Sequence, residues 1–434
     1  MKSKKVGFMT LGCKVNSYDS EALMEIFESD GFEIVDFSDI ADVYVVNTCT
    51  VTHLGDRKSR NALRKARRLN PDAVICAVGC YVQVAPQEVE KIAEVDLLIG
   101  TKNRAKILDY IKAYQQDQQQ HAFVSDIMTE KVFEPLKISE SKGKTRSFIK
   151  IQEGCNRFCA YCIIPYARGP VRSRDLSDVL DEVKRVVAAG HQEVVLTGIH
   201  IASYGIDNKE MNLIELIEAV DQIAGLERIR LGSLEPTFLT KDRIERLKKL
   251  KYFCPHFHLS LQSGSDSVLK RMKRRYTTID YKNTVTMIRS VFPDAAITTD
   301  VMVGFPGETE QEFLETLAFV EKIGFYQIHI FKYSKRAGTP AADYPGQVDE
   351  AVKNDRSQRL GVCANRMEEA FLRKHHGCRL KVLVEQNHNK NGYEGHTENY
   401  IPVRILSDQK INGKIMEVTV SYEEHLNYLT GTIF

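Results

Sequence analysis

The sequence predicts an α/β protein of three domains. An N-terminal parallel α/β sheet domain (1–114) is followed by a linker (115–144), a partial (β/α)6 barrel of the TIM-like kind (145–370) and a small OB-like β-barrel (371–434). Three observations predict this fold class: alternating strand and helix patterns in the first hundred residues, six further strand–helix units, and short β-branched runs near the end. A chain of 434 residues is long enough for several domains.

In the first domain, strands alternate with helices and three cysteines each follow a strand. We predict strands over Lys5–Thr10, Asp42–Val46, Ala73–Val78 and Asp96–Ile99, and helices over Ser17–Ser29, Asp56–Leu69 and Pro86–Ala93. Cys13, Cys49 and Cys80 come directly after the first three of these strands. Because ligands of parallel sheets bind beyond the carboxyl ends of the strands, these cysteines are expected to converge. The alternative is three unrelated small buried residues, as cysteine often is.

The linker 115–144 is polar and aperiodic, beginning with a glutamine-rich stretch. The second strand–helix series follows it. Its predicted strands are Phe148–Gln152, Glu193–Thr197, Arg228–Leu231, Phe257–Leu261, Ala296–Val303 and Gln327–Tyr333, with helices such as Ser177–Ala188, Leu213–Ile223 and Gln311–Ile323. Six such units predict a partial barrel, whose active site belongs at the carboxyl ends of the strands.

The last sixty residues change character. Short runs rich in β-branched residues, Leu380–Glu385, Tyr400–Ile405 and Lys414–Val420, are separated by turns at Asn391-Gly392 and Asn412-Gly413. This pattern is typical of a small β-barrel of the OB kind.

The most informative motif is a run of three cysteines, Cys155, Cys159 and Cys162, which begins just after the first barrel strand. Three thiolates can hold three irons of a 4Fe–4S cluster and leave the fourth iron open for chemistry. A zinc ribbon would need two CxxC pairs, and the sequence has no second pair.

The turns after the later barrel strands are polar and contain glycine. They place Gly198, Glu235, Gln262 and Asp300 around the expected mouth of the barrel. Carboxylates and amides accept hydrogen bonds from ammonium and hydroxyl groups, so these residues suit a zwitterionic ligand that bears a ribose.

Composition limits the cellular setting and the partners. Ten cysteines without a convincing secretory signal indicate a reducing cytoplasm and metal ligation. No apolar run reaches the roughly 18 to 20 residues of a membrane span. Net charge is only +2, so nucleic acid would have to bind local basic patches. The candidate RNA-binding residues are Arg57, Lys58 and Arg64 on one helix, and Arg274 and Arg275 after barrel strand four.

With these motifs in place, the chain resembles the radical S-adenosylmethionine (SAM) methylthiotransferases. The cysteine run resembles their radical SAM motif, and Thr10–Asn16 and Asn47–Thr52 resemble their N-terminal domain. The resemblance covers all three domains, the last as a TRAM domain. It implies that Cys155, Cys159 and Cys162 hold a 4Fe–4S cluster that cleaves SAM. It also implies that Cys13, Cys49 and Cys80 hold a second 4Fe–4S cluster, which carries the sulfur to be transferred.

The subtype is indicated by three further segments, which are similar to the subgroup that acts on threonylcarbamoyladenosine in tRNA: Lys14 and Val15 after Cys13, Thr50–Thr52 after Cys49, and Arg274–Tyr276. That resemblance implies methylthiolation of carbon 2 of N6-threonylcarbamoyladenosine beside the anticodon. Isopentenyladenosine in tRNA and a ribosomal protein side chain are the alternative substrates. A plain radical SAM methylase and a non-catalytic RNA-binding module with a structural cluster are alternatives of other classes. An electron donor and a sulfur source are expected partners, and a monomer is the expected state.

Overall fold

The computed structural model describes residues 3–139, 144–209, 211–389 and 392–433. Residues 140–143 of the expected linker and Asn391 of an expected turn lie outside the described residues. The described chain folds into the three expected units, and none of its described helices is long and apolar enough to cross a membrane.

The N-terminal domain is a six-stranded sheet in the order β2-β1-β3-β4-β5-β6, with every described strand pair parallel. Its strands are β1 Lys5–Thr10, β2 Glu33–Val35, β3 Val43–Thr48, β4 Val74–Gly79, β5 Leu97–Ile99 and β6 His121–Phe123. Its helices are α1 Lys14–Ser29, α2 His53–Leu69, α3 Cys80–Val84, α4 Pro86–Glu90 and α5 Ile107–Asp117. Strands β3 and β4 are buried along their whole length, as expected when helices cover both faces of a parallel sheet.

Two corrections concern this domain. The segment predicted as a linker is structured where it is described, since helix α5 ends within it and β6 forms the sheet edge. Further along that segment, Leu136 and Ile138 are buried in the core and Glu134 binds Arg104. The predicted helix Pro86–Ala93 is shorter, and a helix that starts at Cys80 precedes it.

The second domain is the predicted partial barrel. Its strands are β7 Arg146–Glu153, β8 Arg172–Ser173, β9 Glu193–Gly198, β10 Arg228–Leu231, β11 His256–His258, β12 Ala296–Val303 and β13 Gln327–Lys332. Its helices are α6 Ile164–Arg168, α7 Leu176–Ala188, α8 Leu213–Asp221, α9 Lys241–Lys248, α10 Asp266–Arg271, α11 Thr278–Val291, α12 Glu310–Ile323 and α13 Glu350–Arg373. Parallel pairs join β7 to β9 and β9 to β10, and likewise β11 to β12 and β12 to β13, while β8 pairs antiparallel with β7. Isolated parallel bridges connect the two groups.

Local sequence explains where the barrel helices begin. Thr309 caps α12 by accepting a hydrogen bond from the Glu312 backbone, while the Glu312 side chain accepts from the Thr309 backbone. Thr277 and Asp280 make the same reciprocal arrangement at the start of α11. These capping boxes satisfy backbone donors that the first helical turn leaves free. The predicted fourth strand, Phe257–Leu261, is shorter and begins one residue earlier, at His256.

The C-terminal domain is a closed barrel in the order β14-β15-β16-β18-β17. Its strands are β14 Arg379–Asn389, β15 Gly392–Thr397, β16 Pro402–Leu406, β17 Ile415–Ser421 and β18 Leu429–Ile433. Gly395 permits the close approach of β15 and β14, since a Cβ there would lie 2.2 Å from the Leu383 carbonyl oxygen. Closure removes the exposed sheet edges that a small antiparallel sheet would otherwise present.

Buried charges join the barrel to the C-terminal domain. The guanidinium of Arg230 binds Glu193 at 3.0 Å and also donates to the Glu398 carbonyl at 2.9 Å. Arg228 donates to the carbonyls of His396 and Lys381. These contacts hold the C-terminal barrel against the partial barrel.

A second buried network joins the N-terminal domain to the barrel. Asp19 on α1 accepts hydrogen bonds from Arg104, from Lys150 at 2.5 Å and from Arg168 at 2.9 Å. Glu153 at the end of β7 accepts from Lys150 and Arg168 as well. The two domains are therefore fixed to each other next to the cysteines, with the carboxyl ends of both sheets facing a shared space.

Candidate functional site

A single cavity of about 630 Å³ lies between the strand ends of the N-terminal sheet and those of the barrel. It is lined by Cys13 and by all three cysteines of the run. The four residues that the sequence predicted for ligand binding also line it, namely Gly198, Glu235, Gln262 and Asp300. Tyr400 of the C-terminal domain completes part of the wall. All three domains therefore contribute to one site.

The N-terminal cysteines converge because β1, β3 and β4 are neighbours in the sheet. Cys13 faces the cavity, whereas Cys49 and Cys80 are buried behind it. Burial raises the pKa of Cys80 to about 11; the Arg168 guanidinium opposes this, and the nearby Cys13 and Cys49 thiols add to it. Burial also raises the pKa of Cys49, with a further contribution from Cys13. Three free thiols thus lie close enough to influence one another's ionisation.

Glycines make this approach possible. Gly12 has a φ of +105°, and a Cβ there would lie 3.0 Å from the Cys49 sulfur. Gly79 has a φ of +100°, and a Cβ there would lie 2.6 Å from the Asn47 side-chain oxygen. Only glycine adopts such a conformation without strain and leaves this space open.

The second cysteine group sits on a loop that the barrel holds firmly. The backbone of Cys155 donates to the Gly169 carbonyl, and Ala160 both donates to Met272 and accepts from Ala341. Burial raises the pKa of Cys162 to about 12, and Cys159 adds to the effect. In a protein without iron the Cys162 thiol is therefore protonated, so metal binding must displace its proton.

Each cysteine group has an arginine that donates to one of its sulfurs. Arg168 Nε lies 3.1 Å from Cys80 Sγ, and Arg274 Nη1 lies 3.3 Å from Cys159 Sγ. A cation beside sulfur stabilises the thiolate, which is the form that binds iron. Three convergent thiols with a cationic donor fit a 4Fe–4S cluster that keeps one iron free of protein ligands.

The predicted ligand-binding residues surround the radical SAM cysteines. A Cβ at Gly198 would lie 2.8 Å from the Gln152 carbonyl oxygen, so glycine permits the close approach of β9 to β7 at this wall. Glu235 is buried and is bound by Arg157, with His200 Nε2 at 3.5 Å. Burial alone would raise the pKa of Glu235, but His200, Arg274 and Arg157 outweigh it and lower this pKa. Glu235 therefore stays ionised inside the cavity.

The structure also brings together residues that the sequence did not connect. His258, Asp300 and His329 come from adjacent strands, with His258 Nε2 3.2 Å from Asp300 Oδ2 and Asp300 paired in register with His329. The period-2 alternation of strands β12 and β13 is the signal that places Asp300 and His329 on one face. Lys14, Arg157 and Arg168 were likewise not identified as site residues.

The candidate RNA-binding residues divide into two groups. Arg57, Lys58 and Arg64 are exposed on α2, and Arg275 is exposed beside the barrel. The prediction for Arg274 as a surface contact needs correction, because its side chain is only 9% exposed and donates to Cys159 inside the cavity.

Comparison with known proteins agrees with this geometry. Residues 149–320 match the Radical SAM superfamily, and residues 5–100 match the Uncharacterized protein family UPF0004. A radical SAM methyltransferase, TsrM from Kitasatospora setae, superimposes with a TM-score of 0.57 at 16% identity, covering 78% of this chain and 77% of that chain. The cobalamin-dependent enzyme OxsB gives a TM-score of 0.52 at 12% identity, covering 85% and 56%. The fold and the cysteine run together define a radical SAM enzyme, which implies SAM and a 4Fe–4S cluster as cofactors.

Relatives of known activity make the assignment narrower. The chain is 44% identical to the threonylcarbamoyladenosine tRNA methylthiotransferase MtaB of Bacillus subtilis, over 96% of this chain and 93% of the relative. It is 40% identical to MtaB of Aquifex aeolicus, over 96% and 100%. It is 37% identical to the tRNA-2-methylthio-N(6)-dimethylallyladenosine synthase of Clostridium tetani, over 95% and 92%. The chain belongs to the radical SAM methylthiotransferase family.

Proposed function

We propose that this enzyme transfers a methylthio group to carbon 2 of N6-threonylcarbamoyladenosine in tRNA. The observation that carries the proposal is the shared cavity, which both cysteine groups and the four predicted ligand-binding residues approach. Identity to relatives named for this reaction, at 44% and 40% over nearly the whole chain, supports the choice of substrate.

In this proposal Cys155, Cys159 and Cys162 hold one 4Fe–4S cluster, and a second 4Fe–4S cluster is held by Cys13, Cys49 and Cys80. When bound, the first cluster supplies reductive cleavage of SAM, and the second supplies delivery of sulfur. The protein positions both groups on rigid strand ends. Arg274 and Arg168 donate to one sulfur in each set. The buried network around Asp19 fixes the distance between the two sets by holding the two domains together.

The polar residues of the cavity bind SAM in this proposal. Glu235 is ionised and Asp300 offers a carboxylate, and such groups accept hydrogen bonds from an ammonium and from ribose hydroxyls. Gln262 is held in a left-handed conformation at φ +70° by backbone hydrogen bonds to Asp300 and Met302. Its position is thus fixed by the neighbouring strand β12. Gly198 lines the same cavity, and without a side chain it lets β9 lie close to Gln152.

The substrate tRNA is proposed to approach along α2. The exposed Arg57, Lys58 and Arg64 lie on the helix that follows the Cys49 turn, and Val51 of that turn lines the cavity. Arg275 adds positive charge near the barrel side. Replacing the three α2 cations by alanine is expected to weaken tRNA binding and to flatten its dependence on salt, because fewer counterions are released. A tRNA substrate is consistent with action in the cytoplasm, where an electron donor and a sulfur source would serve as further partners.

The second candidate substrate is dimethylallyladenosine in tRNA, which is the isopentenyladenosine named above. It is favoured by identities of 37% and 39% to relatives named as synthases of 2-methylthio-N(6)-dimethylallyladenosine in tRNA. Nucleoside analysis separates the candidates: tRNA from a strain lacking this gene is digested and its modified adenosines are measured by mass spectrometry. We expect loss of the methylthiolated threonylcarbamoyl nucleoside and its recovery when the wild-type gene is restored. If the methylthiolated dimethylallyl nucleoside disappears instead, the proposed substrate is wrong.

The Cys159→Ala variant tests the reaction class. We expect it to keep the iron of the N-terminal cysteines, to lose SAM cleavage and to fail in restoring the nucleoside. A purely structural cluster predicts a different result, namely loss of folding in the variant and no SAM cleavage by the wild-type protein.

A further inference from the structure

Lys14 is a cation at the wall of the cavity, directly after the cluster cysteine Cys13. It is the first residue of α1, and its side chain retains exposure to the cavity that it lines. Its ammonium lies 5.9 Å from the centroid of the Phe148 ring on β7. The side chain thus reaches from the N-terminal domain to the barrel, and its charged end lies over an aromatic ring rather than against a carboxylate.

The arginines in and around the cavity each face a carboxylate. Arg157 and Arg274 both face Glu235, and Arg274 also donates to Cys159. Two arginines that lie near Lys14, Arg146 and Arg230, bind Glu193. Lys14 itself has neither an ion pair nor a hydrogen bond from its ammonium anywhere in the described part of the chain. Lys14 thus differs from these arginines in having no carboxylate bound to it, so an anion that enters the cavity lined by Lys14 and Cys13 can bind its ammonium.

The proposed substrate carries such an anion. The threonylcarbamoyl group on N6 ends in a carboxylate, and carbon 2, the atom to be modified, lies on the same six-membered ring. Sulfur delivered from the Cys13 side has to meet carbon 2, so the modified base lies against this wall. The carboxylate then extends along the wall that Lys14 forms. A dimethylallyl group is uncharged and gives Lys14 nothing to bind.

We propose that Lys14 determines substrate specificity by binding the carboxylate of the threonylcarbamoyl group. This inference rests on the proposed function. A charge-assisted hydrogen bond of this kind favours the modified base by about 10- to 100-fold in affinity over the same tRNA with unmodified adenosine. The side chain acts on binding and orientation and takes no part in radical formation.

The experiment measures tRNA binding rather than turnover. Dissociation constants are determined by filter binding for iron-loaded protein with two probes: one tRNA that carries threonylcarbamoyladenosine and the same tRNA transcribed without modification. We expect wild-type protein to prefer the modified tRNA by about 10-fold or more. Lys14→Met, which keeps the aliphatic stem, and Lys14→Gln are both expected to bind the two tRNAs equally. Lys14→Arg is expected to retain the preference because it retains the charge.

The control variant is Lys91→Gln, an exposed lysine of the same domain outside the cavity, which should leave both constants unchanged. If Lys14→Met and Lys14→Gln keep the full preference, the proposal is wrong. It is also overturned if they weaken binding of both tRNAs by one factor, since Lys14 would then contact phosphate. A wild-type protein without any preference, and without the methylthiolated threonylcarbamoyl product in cells, would instead refute the proposed function itself.

Discussion

Replacing Asp19 by asparagine should destabilise the junction between the N-terminal domain and the barrel. Asp19 is fully buried and accepts from three cations, Arg104, Lys150 and Arg168. The amide of asparagine carries no charge, and its NH2 group would face guanidinium or ammonium donors. The three cations would then share the remaining carboxylates, Glu153 and Glu134.

The expected magnitude follows from burial. Removing one partner of a buried ion pair costs about 3–5 kcal/mol, because the other charge stays desolvated. That is a large fraction of the free energy of unfolding of a typical domain, which is about 10 kcal/mol. We therefore expect a marked shift of the first guanidinium unfolding transition of Asp19→Asn, with little change in the transitions of the rest of the chain.

The assay is unfolding in guanidinium chloride followed by far-ultraviolet circular dichroism, since the chain has no tryptophan. Asp117→Asn is the matched control, because Asp117 is exposed and its ion pair within the described part of the chain is with His121. The transition of this control should not move. A destabilisation of Asp19→Asn below about 1 kcal/mol, the range of exposed pairs, would refute the reasoning.

Acid provides an independent check of the same carboxylate. Burial by itself would raise the pKa of Asp19, but Arg104, Lys150 and Arg168 outweigh burial and hold this pKa well below its usual range. Such a group stabilises the fold above its unfolded-state pKa of about 4 and loses that contribution as the pH falls. The difference in stability between wild type and Asp19→Asn should therefore narrow below about pH 4.

Three further results are expected. Burial opposes ionisation of Glu193, but Arg230, Arg146 and Arg228 lower the pKa of Glu193 to about 2. The thermal unfolding temperature should therefore fall as the pH falls from about 4.5, and it should fall less in Glu193→Gln. Cys80→Ala should lose one of the two clusters and half of the bound iron. Its control is Cys76→Ala, which should keep both clusters because the Cys76 thiol is buried within β4. Equal losses of iron in the two variants would contradict the assignment of Cys80. Arg336→Gln should weaken docking of the N-terminal domain by about 3–5 kcal/mol in calorimetry, since its guanidinium makes a buried 2.6 Å ion pair across the junction, and an unchanged profile would exclude that role.

Long buried strands were predictable because their sequences are nearly continuous runs of apolar residues. Strands β3 and β4 are of this kind, and the predicted sheet formed around them. The short edge strands β2 and β6 were missed because three residues carry too little pattern. Helix α13 was missed because its sequence is charged and only weakly periodic, and its burial is decided by packing against β13.

The site was predictable where it depends on strand ends. Cysteines and polar residues placed directly after strands converge by topology alone, which is why Glu235 and Asp300 were found. The same reasoning could not locate Arg168 or Lys14 in the site, because their contacts form only when one domain docks against the other. Arg274 was predicted as an RNA contact near the barrel mouth because it belongs to a run of basic residues, and the sequence could not show that its side chain turns inward to Cys159.

The bond from Arg168 to Cys80 crosses a domain boundary, since α6 belongs to the barrel and Cys80 to the N-terminal sheet. A newly made N-terminal domain lacks this donor until the barrel has been synthesised and has docked. Hydrogen bonds to cluster sulfurs raise the reduction potential, so iron inserted before docking would have a lower potential than iron in the finished enzyme. Under the proposed assignment of Cys13, Cys49 and Cys80 to a second cluster, the order of folding and iron insertion during biogenesis determines when that cluster acquires its working redox properties.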